Sequence, residues 1–289
     1  MSIIYEYNAN TIGFHHSIDT TPVEKNFQMH VHDQYELLYF VSGKGTFTIE
    51  GSTYTLEKDC LLLMRPAEFH KISVSSDIPY ERMVVHFKKE ALSEIDKSGI
   101  LTRVFDDRQV GYGNIYLASE FGDFNLKQLF NAMKNEGSNE EKYLAVMTNL
   151  LAVLYKVNTL SNARRVYPPT RRKNEVFSEL VYFINRHLSD NLSLEVLSEH
   201  FFLSKSQLNR IFKDTTGTSI WEYIIIKRLM GTRNLILSGV PIIKASQQFG
   251  FSDYSSFYRS YKKHFHISPK IDAKAGKKKE KKNEQNREL

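Results

Sequence analysis

Residues 30–36 of this 289-residue chain bring two imidazoles and a carboxylate into one short stretch. His30-Val-His32 is followed by Glu36 and Gly43, an H-x-H-x3-E-x6-G spacing. Side chains alternate along an extended strand, so His30 and His32 share a face. Imidazole with carboxylate suits Fe, Mn, Ni, Zn or Cu, and the same groups can hydrogen-bond the hydroxyls of a small molecule. His86, in the strand-like run Arg82–Phe87, either faces the same interior or is a satisfied core histidine. Glu36 and Glu68 could serve as an acid/base pair, although nothing in their spacing demands it. The sequence has no P-loop, G-x-G-x-x-G, H-E-x-x-H or nucleophile elbow. The expectation is a binding protein and not an enzyme.

A second set of chemical residues lies in the other half and repeats. Leu208-Asn-Arg-Ile-Phe-Lys213 recurs 49 residues on as Phe257-Tyr-Arg-Ser-Tyr-Lys262, and Gly217-Thr-Ser219 aligns with His266-Ile-Ser268. Each copy follows a short helical run and a tight turn, which predicts two helix-turn-helix units. Ser204-x-x-Gln207 is a capping box for the first unit's second helix, and Ser252-Asp253 offers a cap for the other. Helical spacing turns Leu208, Ile211 and Phe212 inward, with Ser206, Asn209, Arg210 and Lys213 outward. In the second copy Phe257 and Tyr261 turn inward, with Tyr254, Ser255, Tyr258, Arg259 and Lys262 outward. Arginine can pair with guanine O6 and N7, and asparagine with adenine N6 and N7, in a major groove. Lysines and helix N-termini hold phosphates. With Lys205 and Gln207 at the start of the first helix, these eleven residues are the candidate DNA contacts.

The charge distribution agrees. Residues 1–163 hold 15 Lys and Arg against 21 Asp and Glu, whereas residues 164–289 hold 24 against 12. An acidic half joined to a basic half confines the expected polyanion contact to the second. Part of that excess lies in a lysine-rich tail, 273–289, which has no apolar periodicity and is expected to be disordered and solubilising.

The elements that must position these residues follow from patterning. Tyr35–Val41, Thr46–Glu50, Tyr54–Leu56, Cys60–Met64 and Arg82–Phe87 read as short strands separated by turn signals, the pattern of an all-β barrel or sandwich. Residues 88–120 are ambiguous. From Asn125 the period becomes helical, with Tyr143, Val146, Met147, Leu150, Leu151 and Leu154 forming one stripe that serves as core or as a dimer seam. Ser161–Asn174, with Pro168-Pro169 and five cations, reads as a stiff linker whose charges could sit beside phosphates. Helices are expected near 175–188, 194–201, 205–214, 219–237, 242–249 and 253–263.

Residues ~175–272 resemble the DNA-binding domain of AraC/XylS-type transcription regulators. The resemblance rests on Leu203-Ser-Lys-Ser-Gln-Leu-Asn-Arg-Ile-Phe-Lys213, Gly217-Thr-Ser219, Arg228-Leu229, Pro241-Ile242, Gly250-Phe-Ser-Asp253, Phe257-Tyr-Arg259 and Ser268-Pro269. It implies that Ser206, Asn209 and Arg210 read bases from one unit, and Tyr254, Ser255, Tyr258 and Arg259 from the other, about one helical turn apart. Ser198, Ala245 and Ser246 stand where the family usually has Ala, Ile and Ala. His266 replaces the usual glycine, and Ile271-Asp272 the usual aromatic-Arg ending, which predicts a looser second unit. The histidine spacing resembles the first cupin motif, and Arg65-Pro-Ala-Glu-Phe-His70 a degraded second one, with Asp59 where glycine is usual. A cupin site would add His70 to His30, His32 and Glu36. In regulators of this class the barrel is commonly an effector pocket, so His30, His32, Glu36, His70 and His86 are assigned to effector contact, with no metal and no cofactor.

The expected architecture is α+β in two domains. A cupin-like barrel (1–120) with a helical dimerisation pair (121–160) precedes a linker (161–174) and an all-α domain with two helix-turn-helix units (175–272). The expected function is a sequence-specific, effector-responsive transcription regulator, an activator by resemblance, taking a sugar or related metabolite. Its expected partners are promoter DNA, a second copy and RNA polymerase. The alternative is a metal-dependent cupin enzyme carrying a DNA-binding domain. The single cysteine, Cys60, excludes an internal disulfide framework. No secretory signal is evident, and no apolar run approaches the ~20 residues that span a bilayer, so a cytoplasmic location without membrane contact is expected.

Overall fold

A computed structural model describes residues 2–23, 27–161, 171–172 and 175–276. The chain divides near residue 173 into two compact units. Most of the expected linker, and the basic tail beyond Gly276, lie outside the described residues.

The first unit contains strands β1 (Ser2–Asn8), β2 (Ile12–Asp19), β3 (Tyr35–Ser42), β4 (Gly45–Ile49), β5 (Ser52–Thr55), β6 (Cys60–Met64), β7 (His70–Val74), β8 (Tyr80–Phe87), β9 (Ile115–Tyr116) and β10 (Arg171–Arg172). One sheet runs β1-β2-β8-β3-β6-β9 and the other β10-β5-β4-β7. The five strands read from sequence are present. Strands β1, β2, β7 and β9 add to them; β7 (HKISV) alternates, with Ile72 and Val74 turned to the core and Lys71 and Ser73 away from it, a period-2 signal the sequence reading passed over. Within the expected linker, Arg171 and Arg172 pair with Thr53 and Ser52. There the backbone completes an edge that β5 would otherwise expose, so these two residues are strand and not linker.

Strand β3 (YELLYFVS) is buried along nearly its whole length. One face, with Leu37, Tyr39 and Val41, joins Leu61, Leu63, Met83 and Val85 in a core that also takes residues from α1 (Arg103–Asp106), α2 (Leu126–Ala132) and α3 (Asn139–Ser161). The opposite face, with Leu38 and Phe40, joins Phe47, Ile49, Leu62, Met64, Ile72 and Val84 between the two sheets.

Helix α3 shows how its sequence pattern is used. Val146, Met147, Leu150, Val153, Leu154 and Val157 are buried in the sheet-covering core, while Tyr143 and Leu151 pack partly against it. The stripe therefore serves this unit's own core. Leu144 and Tyr155 remain exposed; eleven residues apart, they lie on one side of the helix. By length and composition α3 is apolar enough to cross a membrane, against the expectation of no such run. Its burial on the sheet accounts for part of that apolar content, through Val146, Met147, Leu150, Val153, Leu154 and Val157.

The second unit comprises α4 (Glu175–Arg186), α5 (Leu194–Phe201), α6 (Lys205–Thr216), α7 (Ile220–Leu237), α8 (Ile242–Gln248) and α9 (Tyr254–Phe265), followed by helical residues 269–276. The six expected helices appear, with ends shifted by at most two residues. Helices α5–α6 and α8–α9 are the two helix-turn-helix pairs, and α7 lies between them in the chain. Helix α7 buries Ile220, Tyr223, Ile224, Leu229, Met230 and Ile236, which lie around its circumference as suits a central element. At Gly231 an added Cβ would stand 2.2 Å from the Phe249 ring, so glycine permits the close approach of α8's end.

The two pairs are capped by different residues at equivalent places. Ser204 accepts from the Gln207 N–H, and Gln207 Oε1 accepts from the Ser204 N–H. Asp253 accepts from the Ser255 and Ser256 N–H groups. Helix α6 ends at Gly217 with φ 77°, and α9 at His266 with φ 59°. A left-handed backbone costs a side-chain-bearing residue about 1–2 kcal/mol, part of which glycine returns as unfolded-state entropy. His266→Gly is therefore expected to raise the unfolding free energy of the helical unit by about 1 kcal/mol, read as a higher urea midpoint at unchanged slope in the full chain. An unchanged or lower midpoint would show that the His266 side chain contributes more than the backbone strain costs.

Candidate functional site

Sheet register builds the first site. Glu36 on β3 stands opposite His86 on β8, while His70 at the start of β7 pairs by an isolated bridge with His30. Strand alternation from His86 places Arg82 and Val84 on the same inner face. All five expected residues come together. Glu36 Oε2 lies 2.8 Å from His32 Nε2, 2.9 Å from His86 Nε2 and 3.5 Å from His70 Nε2. The His30 and His70 rings meet edge to face with centroids 4.2 Å apart.

A cavity of about 150 Å³ opens beside this group. It is lined by His30, Glu36, His70 and His86, and also by His15, Phe27, Gln28, Leu38, Phe47, Ile72, Arg82 and Val84. His32 touches Glu36 from outside that lining. The sequence reading missed His15, Arg82 and Phe27. Arg82 was open to detection by period 2 from His86; His15 depends on β2 pairing with β8, which no local pattern reveals. The Arg82 guanidinium lies over the Phe27 and Tyr80 rings, 5.8 and 5.2 Å from their centroids. Arg82 and Phe27 thus bring a cation and an apolar ring to the cavity lining.

The electrostatics are those of a buried anion among bases. Burial alone would raise the Glu36 carboxyl, but the charge of His86 and the ring nitrogens of His32, His70 and His86 outweigh it and hold it well below the usual range. Burial, followed by the nearby Arg82 and His86, pushes His15 down to about 4. Burial and then the neighbouring His70 do the same to His30, also to about 4. Both rings are neutral at pH 7.

The second site is a pair of exposed helix faces. On α6, Leu208 and Phe212 are buried and Ile211 half-buried, while Ser206, Arg210 and Lys213 are exposed and Asn209 is half-buried. On α9, Phe257 and Tyr261 are buried, Tyr254, Ser255, Arg259 and Lys262 are exposed, and Tyr258 is half-buried. Two candidates have other commitments: the Gln207 side-chain oxygen caps its own helix, and Lys205 pairs with Glu195. Arg228, only 6% exposed, holds the second unit together. Its Nε donates to Leu188 O at 2.9 Å, one terminal nitrogen to Asp190 O at 2.6 Å and the other to Gly250 O at 3.0 Å. One side chain on α7 thus ties the loop after α4 to the turn before α9. The end expected to be loose is also anchored: buried Asp272 accepts from Tyr261 Oη at 2.5 Å and Arg233 Nε at 2.9 Å. The substituted Ser198 donates to Leu203 O at 2.6 Å, closing the first turn.

Residues 18–152 match the family model of the AraC-like ligand binding domain, and residues 197–273 match that of a helix-turn-helix domain. The chain is 25% identical over 242 residues to the lactose operon transcription activator of Staphylococcus xylosus, spanning 81% of this chain and 82% of that protein. It is 24% identical over 281 residues to the Msm operon regulatory protein of Streptococcus mutans, spanning 93% and 96%. It is 22% identical over 247 residues to the uncharacterized HTH-type transcriptional regulator YdiP of Escherichia coli, spanning 83% and 78%.

Beside the pocket, Glu68 has a different role from the acid/base partner considered from sequence. It is buried and receives both terminal nitrogens of Arg108, the nearer at 2.5 Å, together with the Gly111 N–H at 3.2 Å and Asn114 Nδ2 at 3.3 Å. Its lone pairs are occupied in pinning residues 108–114 to the sheet. Burial would raise this carboxyl, but the Arg108 charge and hydrogen bonds dominate and lower it to about 2. Because the folded value is depressed, the stabilisation is complete above the ordinary carboxyl value of 4.5 and is lost as pH falls through about 2. Glu68→Gln should lower stability at pH 7 by about 3 kcal/mol and flatten the acid loss between those limits. Parallel stability–pH curves for the two proteins would refute this assignment.

Proposed function

This chain belongs to the AraC family of transcription regulators, and from that premise we propose that it reads promoter DNA through α6 and α9 while its barrel pocket senses a small hydroxylated metabolite. The DNA-binding and ligand-binding domains are family properties of the chain. The observation that carries the finer reading is the repeated capped helix with one buried apolar face and one exposed polar face, twice in the basic half.

On α6 the readers are Ser206, Asn209 and Arg210, with Lys205, Gln207 and Lys213 at the backbone; on α9 they are Tyr254, Ser255, Tyr258 and Arg259, with Lys262 at the backbone. Lys205 must exchange its exposed Glu195 partner for a phosphate, a small cost for a surface ion pair. In the barrel, His30, His32, Glu36, His70 and His86 present the polar groups. Its cavity of about 150 Å³ is small beside the ~300–1,000 Å³ of drug-sized sites, which favours a compact polar metabolite. The lactose operon relative supports a sugar or sugar-like effector. Relatives aligned along 78–96% of their length are regulators, which favours a sensor over a metal-dependent enzyme carrying a DNA-binding domain. The exposed Leu144 and Tyr155 face of α3 is the surface for a second copy. The protein acts in the cytoplasm, where it recruits RNA polymerase as an activator. Effector binding shifts the balance between two arrangements of the DNA-binding domains, which requires unequal affinity for them.

Footprinting on DNA flanking its own gene should show two protected major-groove segments about one helical turn apart per protomer. Position-independent, salt-sensitive coating would reject sequence reading. Arg210→Ala and Arg259→Ala should each cost about 1–3 kcal/mol of specific binding and relax the base preference at one position. Lys213→Ala should weaken all sequences alike and reduce the salt slope by about one. If an arginine variant instead loses affinity uniformly, that residue is a backbone contact. In a thermal-shift panel of hydroxylated metabolites, the effector at a hundredfold excess over its Kd should stabilise the protein by about 2.7 kcal/mol, and His86→Ala should remove the response. Silence across the panel would leave the barrel as an assembly module.

A further inference from the structure

The first unit has a second cavity, enclosed by α1, the segment 108–113 and the C-terminal end of α3. It holds about 490 Å³, within the ~300–1,000 Å³ of small-molecule sites, and shares no lining residue with the smaller cavity between the sheets. Its walls are tethered. Glu68 holds Arg108 and the Gly111 N–H, and Tyr54 Oη donates to Gly111 O at 2.8 Å. Arg65 donates to Asp106 O at 3.0 Å and to Arg108 O at 3.2 Å, at the end of α1. Across the cavity, Asn158 Nδ2 donates to Leu101 O at 3.0 Å and Leu154 O at 2.9 Å, which ties α3 to the turn before α1. A site held in this way loses little freedom when a ligand enters.

The charges on the lining define the ligand. The Arg108 guanidinium is committed to Glu68. Arg103 and Asp107 both line the cavity, both are exposed, and neither side chain has a hydrogen bond or ion pair among the described residues. The Asp107 N–H donates to Arg103 O at 2.9 Å, so the two stand one helical turn apart. Side chains four apart share a helix face, with about 5–6 Å between their Cβ atoms. The cavity therefore presents one uncommitted cation beside one uncommitted anion. A ligand of a single sign would pair one of them and desolvate the other without a partner. We propose that this cavity binds a free α-amino acid with a large apolar side chain. Its carboxylate meets the planar fork of Arg103, and its ammonium donates to Asp107. Both hydrogens on Asn158 Nδ2 are used, so what that amide still offers is its Oδ1 acceptor, a second partner for the ammonium. Ile100, Val104 and Tyr112 give the ligand side chain apolar surface. The site is separate from the barrel pocket and does not rest on what that pocket senses.

The test is calorimetric titration of the full chain with L-phenylalanine, L-leucine and L-methionine, each beside its deaminated acid and its decarboxylated amine. At least one of the three amino acids should saturate a site at about one per protomer and raise the thermal midpoint. Its acid and its amine, each lacking one charge, should bind about 10–100-fold more weakly. Arg103→Ala and Asp107→Ala alter exposed side chains, so far-ultraviolet circular dichroism should be unchanged while each weakens binding by about the same 10–100-fold. Lys127→Ala, which removes an exposed cation from α2, should bind as the parent does. No binding by the parent chain, undiminished binding in Arg103→Ala or Asp107→Ala, or an acid or amine that binds as tightly as its amino acid overturns the proposal. Binding that is lost in His86→Ala but kept in Arg103→Ala places the amino acid in the barrel and overturns it as well. A hydroxylated-metabolite response without amino-acid binding retains the barrel sensor and rejects this second site. Amino-acid binding without that response retains the second site and rejects the barrel sensor.

Discussion

Strand β3 has to be covered on both faces, and most of the first unit follows from how that is done. Its odd-numbered side chains need an outer layer, which α1–α3 supply, and its even-numbered ones need a second sheet, which β4, β5 and β7 supply. Glu36 falls on the inner face, where a carboxylate is costly unless it is surrounded by partners. The surrounding imidazoles are the consequence: His86 comes from direct cross-strand register, His32 from the same chain segment, and His70 from the opposing sheet. The polar end of the cavity thus arises from one acidic residue in an otherwise apolar strand.

The helical unit depends on α7 in a comparable way. A central helix with buried residues around its circumference packs with both helix-turn-helix pairs, and Arg228 adds three charge-assisted bonds to backbone carbonyls. The cost of burying that guanidinium is offset because every bond ends on backbone at a helix end or turn, where carbonyls lack helical partners. Those positions fix the spatial relation of the α4 end and the α8–α9 turn. The exposed faces of α6 and α9 are useful only if that relation is stable.

The parts legible from sequence were those encoded locally. The 49-residue repeat, the Ser204-x-x-Gln207 box and the apolar spacing of 208–212 and 257–261 each sit within one or two turns, so the helices and their outward residues follow from the pattern. The histidine spacing likewise marked a pocket. What remained hidden is set by partners distant in sequence. His15 joins the cavity only because β2 pairs with β8. Glu68 looked like a spare acid until Arg108, forty residues on, occupied it. The α3 stripe could have met a second chain equally well; the area of β3's outer face decided that it stays at home.

The two helix-turn-helix pairs solve the same geometrical problem with different residues, and the differences bear on how they act together. The first uses Gly217 for its left-handed turn and a reciprocal Ser–Gln cap; the second uses His266 under backbone strain, an Asp cap and the buried Asp272 anchored by Tyr261 and Arg233. The second pair is therefore less relaxed locally but is bound more firmly to its neighbours, Arg233 and Arg228 both extending from α7. In the proposed reading, once the first helix has entered a groove the second meets DNA at an effective concentration set by the rigidity of the connection. A continuous, well-packed helix such as α7 holds that concentration higher than a flexible tether. The strain at His266 is then tolerable, because Arg228 and Arg233 hold the second pair to α7 independently of the cap.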